Sequence, residues 1–146
     1  MKHDVETQWM GKMQFNTLVN GHTITMDVPE RVGGEDQGPI PKPLVLTALS
    51  GCTGMDVVAL LRKQGIALKE LDIKIAGELS RQQPIEYLSI HIVYDMAGNA
   101  EDRQAVYDAV KASQEQICGV SHMLKKIMPV TWQVCYNGKE IFNNQA

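Results

Sequence analysis

Three cysteines, at positions 52, 118 and 135, are the residues of this chain best suited to chemistry. A thiolate is a nucleophile and a metal ligand, and two thiols can cycle through a disulfide. An odd, sparse set with no CxxC does not describe a disulfide scaffold, so all three are expected to be thiols at rest. Cys52 lies in the segment LSGCTGMD. Gly51 and Gly54 each cost a helix about 1 kcal/mol relative to Ala, so their place beside Cys52 suggests that another backbone or a ligand comes close. An apolar setting raises a thiol pKa and makes the thiol inert, so Cys52 reads first as a small core residue. Cys118 stands at the head of a short helical pattern, where the helix N-terminus favours a thiolate. A buried residue at a helix junction is an equally good reading of it. Cys135 alternates with Trp132, Val134 and Tyr136 in a strand-like run and reads as incidental.

Other chemistries lack their residues. The four histidines (His3, His22, His91, His122) form no HxxxH pair. Cys118 and His122 are spaced i, i+4, but two ligands fall short of the four in a closed zinc site, so no metal and no cofactor are expected. Gly33 to Gly38 matches neither a dinucleotide-binding fingerprint nor a P-loop. There is no GxSxG elbow.

The elements that must position these thiols follow from periodicity. The chain has 146 residues, 44% hydrophobic and 21% charged. That composition describes one globular domain, 1–146. A net charge of −3 with no basic run beyond Lys125-Lys126 argues against nucleic acid as a partner. No apolar run is expected to approach the ~20 residues of a membrane span, since Asp56 and four small or polar residues interrupt Leu44–Leu61. The segment MKHDVETQW holds no apolar core for a signal peptide, so the expected location is the cytoplasm.

Met13–Val19 and His22–Val28 flank Asn20-Gly21, the strongest short hairpin signal. Ile24, Met26 and Val28 alternate with polar residues and predict one buried face. Residues 29–41, rich in Gly and Pro, form a loop of a length that is uncommon without a functional or interface role. Leu44–Lys63 predicts a helix that is apolar on most faces and hence buried on most faces. A chain this short has little material to wrap it, so a second subunit is expected to cover one side. Two period-2 strands follow, around 71–79 and 88–96. Helices are predicted over 101–117 and 119–127, then a strand at 131–136 and a turn at Asn137-Gly138. The order is ββ-α-ββ-αα-β(β), an α+β class with mainly antiparallel sheets.

The segments PKPLVLTALSGCTGMDVVALLRK and ICGVSHMLKKIMPVTWQV, with GHTITMDVPERVGGEDQGPIP before them, resemble the OsmC/Ohr family (osmotically inducible protein C and organic hydroperoxide resistance protein) over nearly the whole chain. The resemblance implies an intertwined α+β homodimer with central helices between the subunits. It also implies a thiol peroxidase, with Cys52 in the place of the peroxidatic cysteine and Cys118 in that of the resolving one. The implied partners are a small-molecule hydroperoxide and a dithiol reductant. The chain departs from the peroxidase pattern at three places. Lys42 stands where those branches carry Glu. Gly119 stands where they carry Pro. Lys12 and Arg31 are candidates for the arginine that holds the thiolate, with Lys42 and His122 as further supporting residues. These departures match a less-characterised OsmC-like branch. The rival reading is a non-enzymatic dimer of the same fold that binds a small apolar or electrophilic ligand.

Overall fold

A computed structural model describes residues 1–145. The chain divides into two compact units, Met1–Val45 and Leu46 onward.

The first unit is an antiparallel meander of β1 (Glu6–Gly11), β2 (Gln14–Val19) and β3 (His22–Met26). The β2–β3 hairpin forms where Asn-Gly signals it. Asn20 and Gly21 take φ of 49° and 80°, the left-handed region that this two-residue turn requires. β1 was not expected, because ETQWMG does not alternate and its residues are almost all exposed. The buried face expected at Ile24, Met26 and Val28 is not formed within the chain: Ile24 stays 40% exposed. What is buried instead is the Asp27 carboxylate, which accepts N–H bonds from Val28, Glu35 and Gln37 at 2.8, 3.2 and 3.1 Å. Those bonds order the long loop that follows, which contains one 3₁₀ turn, Glu30–Val32.

α1 runs over Pro43–Lys63. The second unit then carries a four-stranded sheet in the order β4 (Glu70–Leu79), β5 (Tyr87–Ala97), β6 (Val130–Tyr136), β7 (Lys139–Asn143). All its pairings are antiparallel except β5 with β6. Parallel neighbours need a long crossover. Here the crossover is α2 (Arg103–Ala112), a π-helical turn (Ser113–Ile117) and α3 (Gly119–Lys125). The single helix expected over 101–117 therefore starts with a 3₁₀ turn and ends in the π turn. The core gathers Leu49, Val57 and Leu61 from α1 with Ile90, Ile92 and Tyr94 of β5, Val106 and Val110 of α2, and Trp132 and Val134 of β6. Trp132 also stacks on Phe142 of β7 with ring centroids 4.2 Å apart.

Two expectations about α1 change. It is 21 residues long, and an 18-residue window reaches a mean hydropathy of 1.8, so by length and composition it is apolar enough to cross a membrane. Asp56 and the small residues do not dilute so many aliphatic side chains. Within one chain 22% of that window is buried, along a single stripe packed against the sheet. Leu49, Thr53, Val57 and Leu61, four residues apart, are 0–1% exposed, while Met55 is 75% exposed. Burial on most faces is thus not met within one chain. One stripe is covered and the opposite side is bare.

Candidate functional site

Cys52 and Asp56 are one turn apart on α1 and lie beside the buried stripe, both half-buried. Positions i and i+4 share a helix face. Facing them is Cys118, which is 2% exposed and caps α3. The Cys52 sulfur, the Cys118 sulfur and a carboxylate oxygen of Asp56 all lie within 4.8 Å of one another. All three cysteines are free thiols.

The π turn sets Cys118 in place. Its N–H donates to the Ser113 carbonyl five residues back, at 2.9 Å. Its sulfur accepts the Ser121 N–H at 3.4 Å. A helix-head position was expected to favour the thiolate, but burial outweighs the cap. The Cys118 thiol is pushed up to about 11, first by desolvation and then by a hydrogen bond to Cys52 and by the Cys52 and Asp56 charges; the Ser121 N–H works the other way. Cys118 therefore holds its proton at neutral pH.

Behind the thiols lies a buried polar chain whose hydrogens can be assigned. Ser113 Oγ donates to Asp56 Oδ2 at 3.0 Å. A hydroxyl has one hydrogen, so Ser113 must accept from Thr53 Oγ1, 2.8 Å away. Thr53 in turn must accept from the Tyr94 hydroxyl at 2.6 Å. Gln114 Nε2 then donates to both Tyr94 and Thr53, at 2.6 and 3.2 Å. Ser121 Oγ donates to Gln114 Oε1 at 2.8 Å. The hydrogens thus run one way, Tyr94 to Thr53 to Ser113, and end on the Asp56 carboxylate. No buried side-chain nitrogen or oxygen lacks a partner among the described residues. Burial raises the Tyr94 hydroxyl to about 12, against the Thr53 and Gln114 hydrogen bonds, so it remains a donor. Lys125 Nζ donates to the Gln114 carbonyl. Desolvation lowers the Lys125 pKa, while the nearby Glu115 and Cys118 charges oppose that shift.

The sequence alone singled out Cys52 and Cys118 but not this network. The one local signal was the i, i+4 spacing of Cys52 and Asp56. Thr53, Tyr94, Ser113, Gln114 and Ser121 meet only through the fold. The expected close approach at the α1 glycines is partly met: a Cβ on Gly54 would come within 2.9 Å of Ile73 Cδ1, whereas Gly51 faces open space. Gly51, Gly54, Met55, Val58 and Leu71 line a shallow, mostly apolar groove of about 480 Å³. His122 is exposed, one turn into α3. Lys12, Arg31 and Lys42 belong to the first unit. There Lys12 pairs with Glu35 at 2.7 Å, Arg31 is exposed in the 3₁₀ turn, and the Lys42 carbonyl accepts the Val45 N–H at the foot of α1. Cys135 lies on β6, where its sulfur accepts the Gln133 amide at 3.4 Å.

Residues 34–133 match the family model described as OsmC-like protein. Among curated proteins, YhfA of Escherichia coli strain K12 is 30% identical over 125 residues, which cover 85% of this chain and 90% of YhfA. A solved structure of a hypothetical protein from Aquifex aeolicus VF5 superposes with a TM-score of 0.76 at 26% identity, over 94% of this chain and 98% of that one. The structure of an organic hydroperoxide resistance protein OsmC from Legionella pneumophila shares the fold at a TM-score of 0.64 and 14% identity, over 92% and 96% of the two chains.

Proposed function

This chain belongs to the OsmC-like protein family, and from that premise we propose that it is a thiol-dependent peroxidase acting on organic hydroperoxides. The observation that carries the reading is the meeting of two thiols 66 residues apart in sequence, Cys52 and Cys118, with sulfurs within 4.8 Å. A disulfide needs about 2.05 Å between sulfurs, so a modest side-chain movement joins them. The relatives named as hydroperoxide resistance proteins support the substrate class.

The roles follow from the environments. Cys118, the more deeply buried thiol, suits the resolving role, and family position makes Cys52 the attacking sulfur. The Cys52 thiolate attacks the terminal oxygen of the hydroperoxide; the O–O bond breaks, the alkoxide leaves and takes a proton as alcohol, and Cys52 keeps the attacked oxygen as a sulfenic acid. The Cys118 sulfur then attacks the Cys52 sulfur as its own proton is removed. The sulfenic oxygen leaves as water and a Cys52–Cys118 disulfide forms. Asp56, close to both sulfurs, is placed to receive that proton and pass it to the departing hydroxide, which completes the water. An external dithiol reduces the disulfide by exchange. The apolar groove beside Gly51 and Met55 suits a hydrophobic peroxide.

The assembly belongs to the same proposal: a cytoplasmic homodimer in which 1–146 acts as one OsmC-like domain. The exposed apolar residues Val45, Met55 and Leu88, 41%, 75% and 53% accessible, support a covering subunit. The test is mass spectrometry after one equivalent of cumene hydroperoxide. A Cys52–Cys118 disulfide, and a sulfenic acid trapped at Cys52 in Cys118→Ser, are expected. If Cys135 oxidises first, or no cysteine reacts, the reading gives way to a non-enzymatic dimer that binds a small apolar or electrophilic ligand.

A further inference from the structure

We propose that the reduced protein binds one thiophilic divalent cation, of the zinc class, through Cys52, Cys118 and Asp56. The chain shows no metal-ligand spacing, yet the fold gathers two sulfurs and a carboxylate oxygen within 4.8 Å of one another. Tetrahedral zinc with Zn–S bonds of about 2.3 Å holds two sulfurs about 3.8 Å apart. The two sulfurs therefore need to close by about 1 Å at most, and each sulfur and the carboxylate oxygen by slightly more. Two thiolates select against hard cations such as calcium and magnesium. Three protein ligands leave the fourth position to water, the open form of a zinc site.

The surroundings fit such a centre. Ser113 holds the Asp56 carboxylate through Oδ2 at 3.0 Å, which leaves the other oxygen for a ligand bond. Ser113 is itself oriented by Thr53. The Ser121 N–H aims at the Cys118 sulfur. Outer partners of this kind orient metal ligands and raise affinity. A dication with two thiolates and one carboxylate carries a net charge of −1.

Binding is written as two thiols plus a carboxylate plus the dication giving the complex and two protons. It is favoured by rising pH and excluded by the disulfide, which has no thiolate to offer. The metal and the oxidised form therefore compete for the same sulfurs.

The experiment is a Co(II) titration of the chelator-stripped, fully reduced protein without peroxide, so that its outcome does not depend on the peroxidase assay. A thiolate-to-cobalt charge-transfer band saturating at one equivalent per chain is expected, displaced by zinc. The band disappears in Cys118→Ser and persists in Cys135→Ser. Loss of an outer partner alone costs ~10–100-fold in affinity, so Asp56→Asn, which removes a ligand, is expected to cost at least about tenfold. X-ray absorption at the zinc edge of the wild type needs no variant and should report two sulfurs and two lighter atoms. No saturable band, a band that survives in Cys118→Ser, or fewer than two sulfurs around zinc overturns the proposal.

Discussion

The two long faces of α1 are alike in sequence and opposite in situation. One presents Leu49, Thr53, Val57 and Leu61, all at 0–1% exposure. The other presents Met55, Ala59 and the open side of Gly51. Hydropathy does not separate them, because both are aliphatic. What separates them is Thr53, a hydroxyl in the middle of the covered stripe that connects the helix to β5 and to the π turn. The covered face is specified by hydrogen bonds and shape, and the bare face by nothing inside the chain. Cys52 and Asp56 lie along the border between them.

Charge placed on the covered stripe should have the largest effect. Leu61→Asp buries an unpaired carboxylate at a position 1% exposed, at a cost of about 5 kcal/mol or more, comparable to the whole stability of a small domain. We expect no soluble folded protein; a cooperative melt near that of the wild type would break the comparison. Thr53→Val keeps the volume but leaves Tyr94, Ser113 and Gln114 short of partners. A loss of about 1–3 kcal/mol is expected, read from urea denaturation, and a change below about 0.5 kcal/mol would mean the relay is dispensable.

The next effect is in pH. Cys118 has its thiol raised in the folded state to about 11 from an ordinary 9.0. A raised folded pKa means that the unfolded chain releases the proton first. The contribution of the buried thiol is therefore complete below about pH 9 and is lost as pH climbs toward 11. Melting temperature should fall across that interval, and Cys118→Ser should flatten the fall. An equal decline in both proteins would assign it to other groups. The smallest effect on the fold is expected from Met55→Glu on the bare face. Unfolding of the single chain should change by no more than about 0.5 kcal/mol, while light scattering should show the 16.2 kDa monomer gaining over the dimer. Unchanged association would place the subunit contact elsewhere.

The elements with strong period were legible in the sequence. The Asn20-Gly21 hairpin, the long helix after Lys42, the paired strands near 71–79 and 88–96 and the final strand all appear close to the expected bounds. β1 was not legible, since an edge strand exposed on both faces carries no alternation. The parallel pairing of β5 with β6 is a property of the crossover, not of either strand. At the site, the cysteines were named by type, and their meeting was implied only by family resemblance. Asp56 was read as an interruption of an apolar run, while in the fold it terminates a chain of hydroxyls. Position-by-position reading scores each residue against its neighbours in sequence and has no access to partners such as Ser113, 57 residues from Asp56. The direction of the Cys118 shift also went unread, because a helix cap is visible in sequence and desolvation is not.

The π turn over Ser113–Ile117 fits five residues where an α-helix would close in four. Each helical residue turns the chain by about 100°, so the wide turn alters which side chains of that stretch point inward. Shortening the stretch by one residue would swing Ser113 and Gln114 off the polar chain, or swing Cys118 off Cys52, even if every remaining residue were kept. Among relatives that keep both thiols, this stretch is thus where a length difference should be rarer than a change of residue. An alignment gap falling between Val110 and Cys118 would be a sign that the second thiol no longer meets the first.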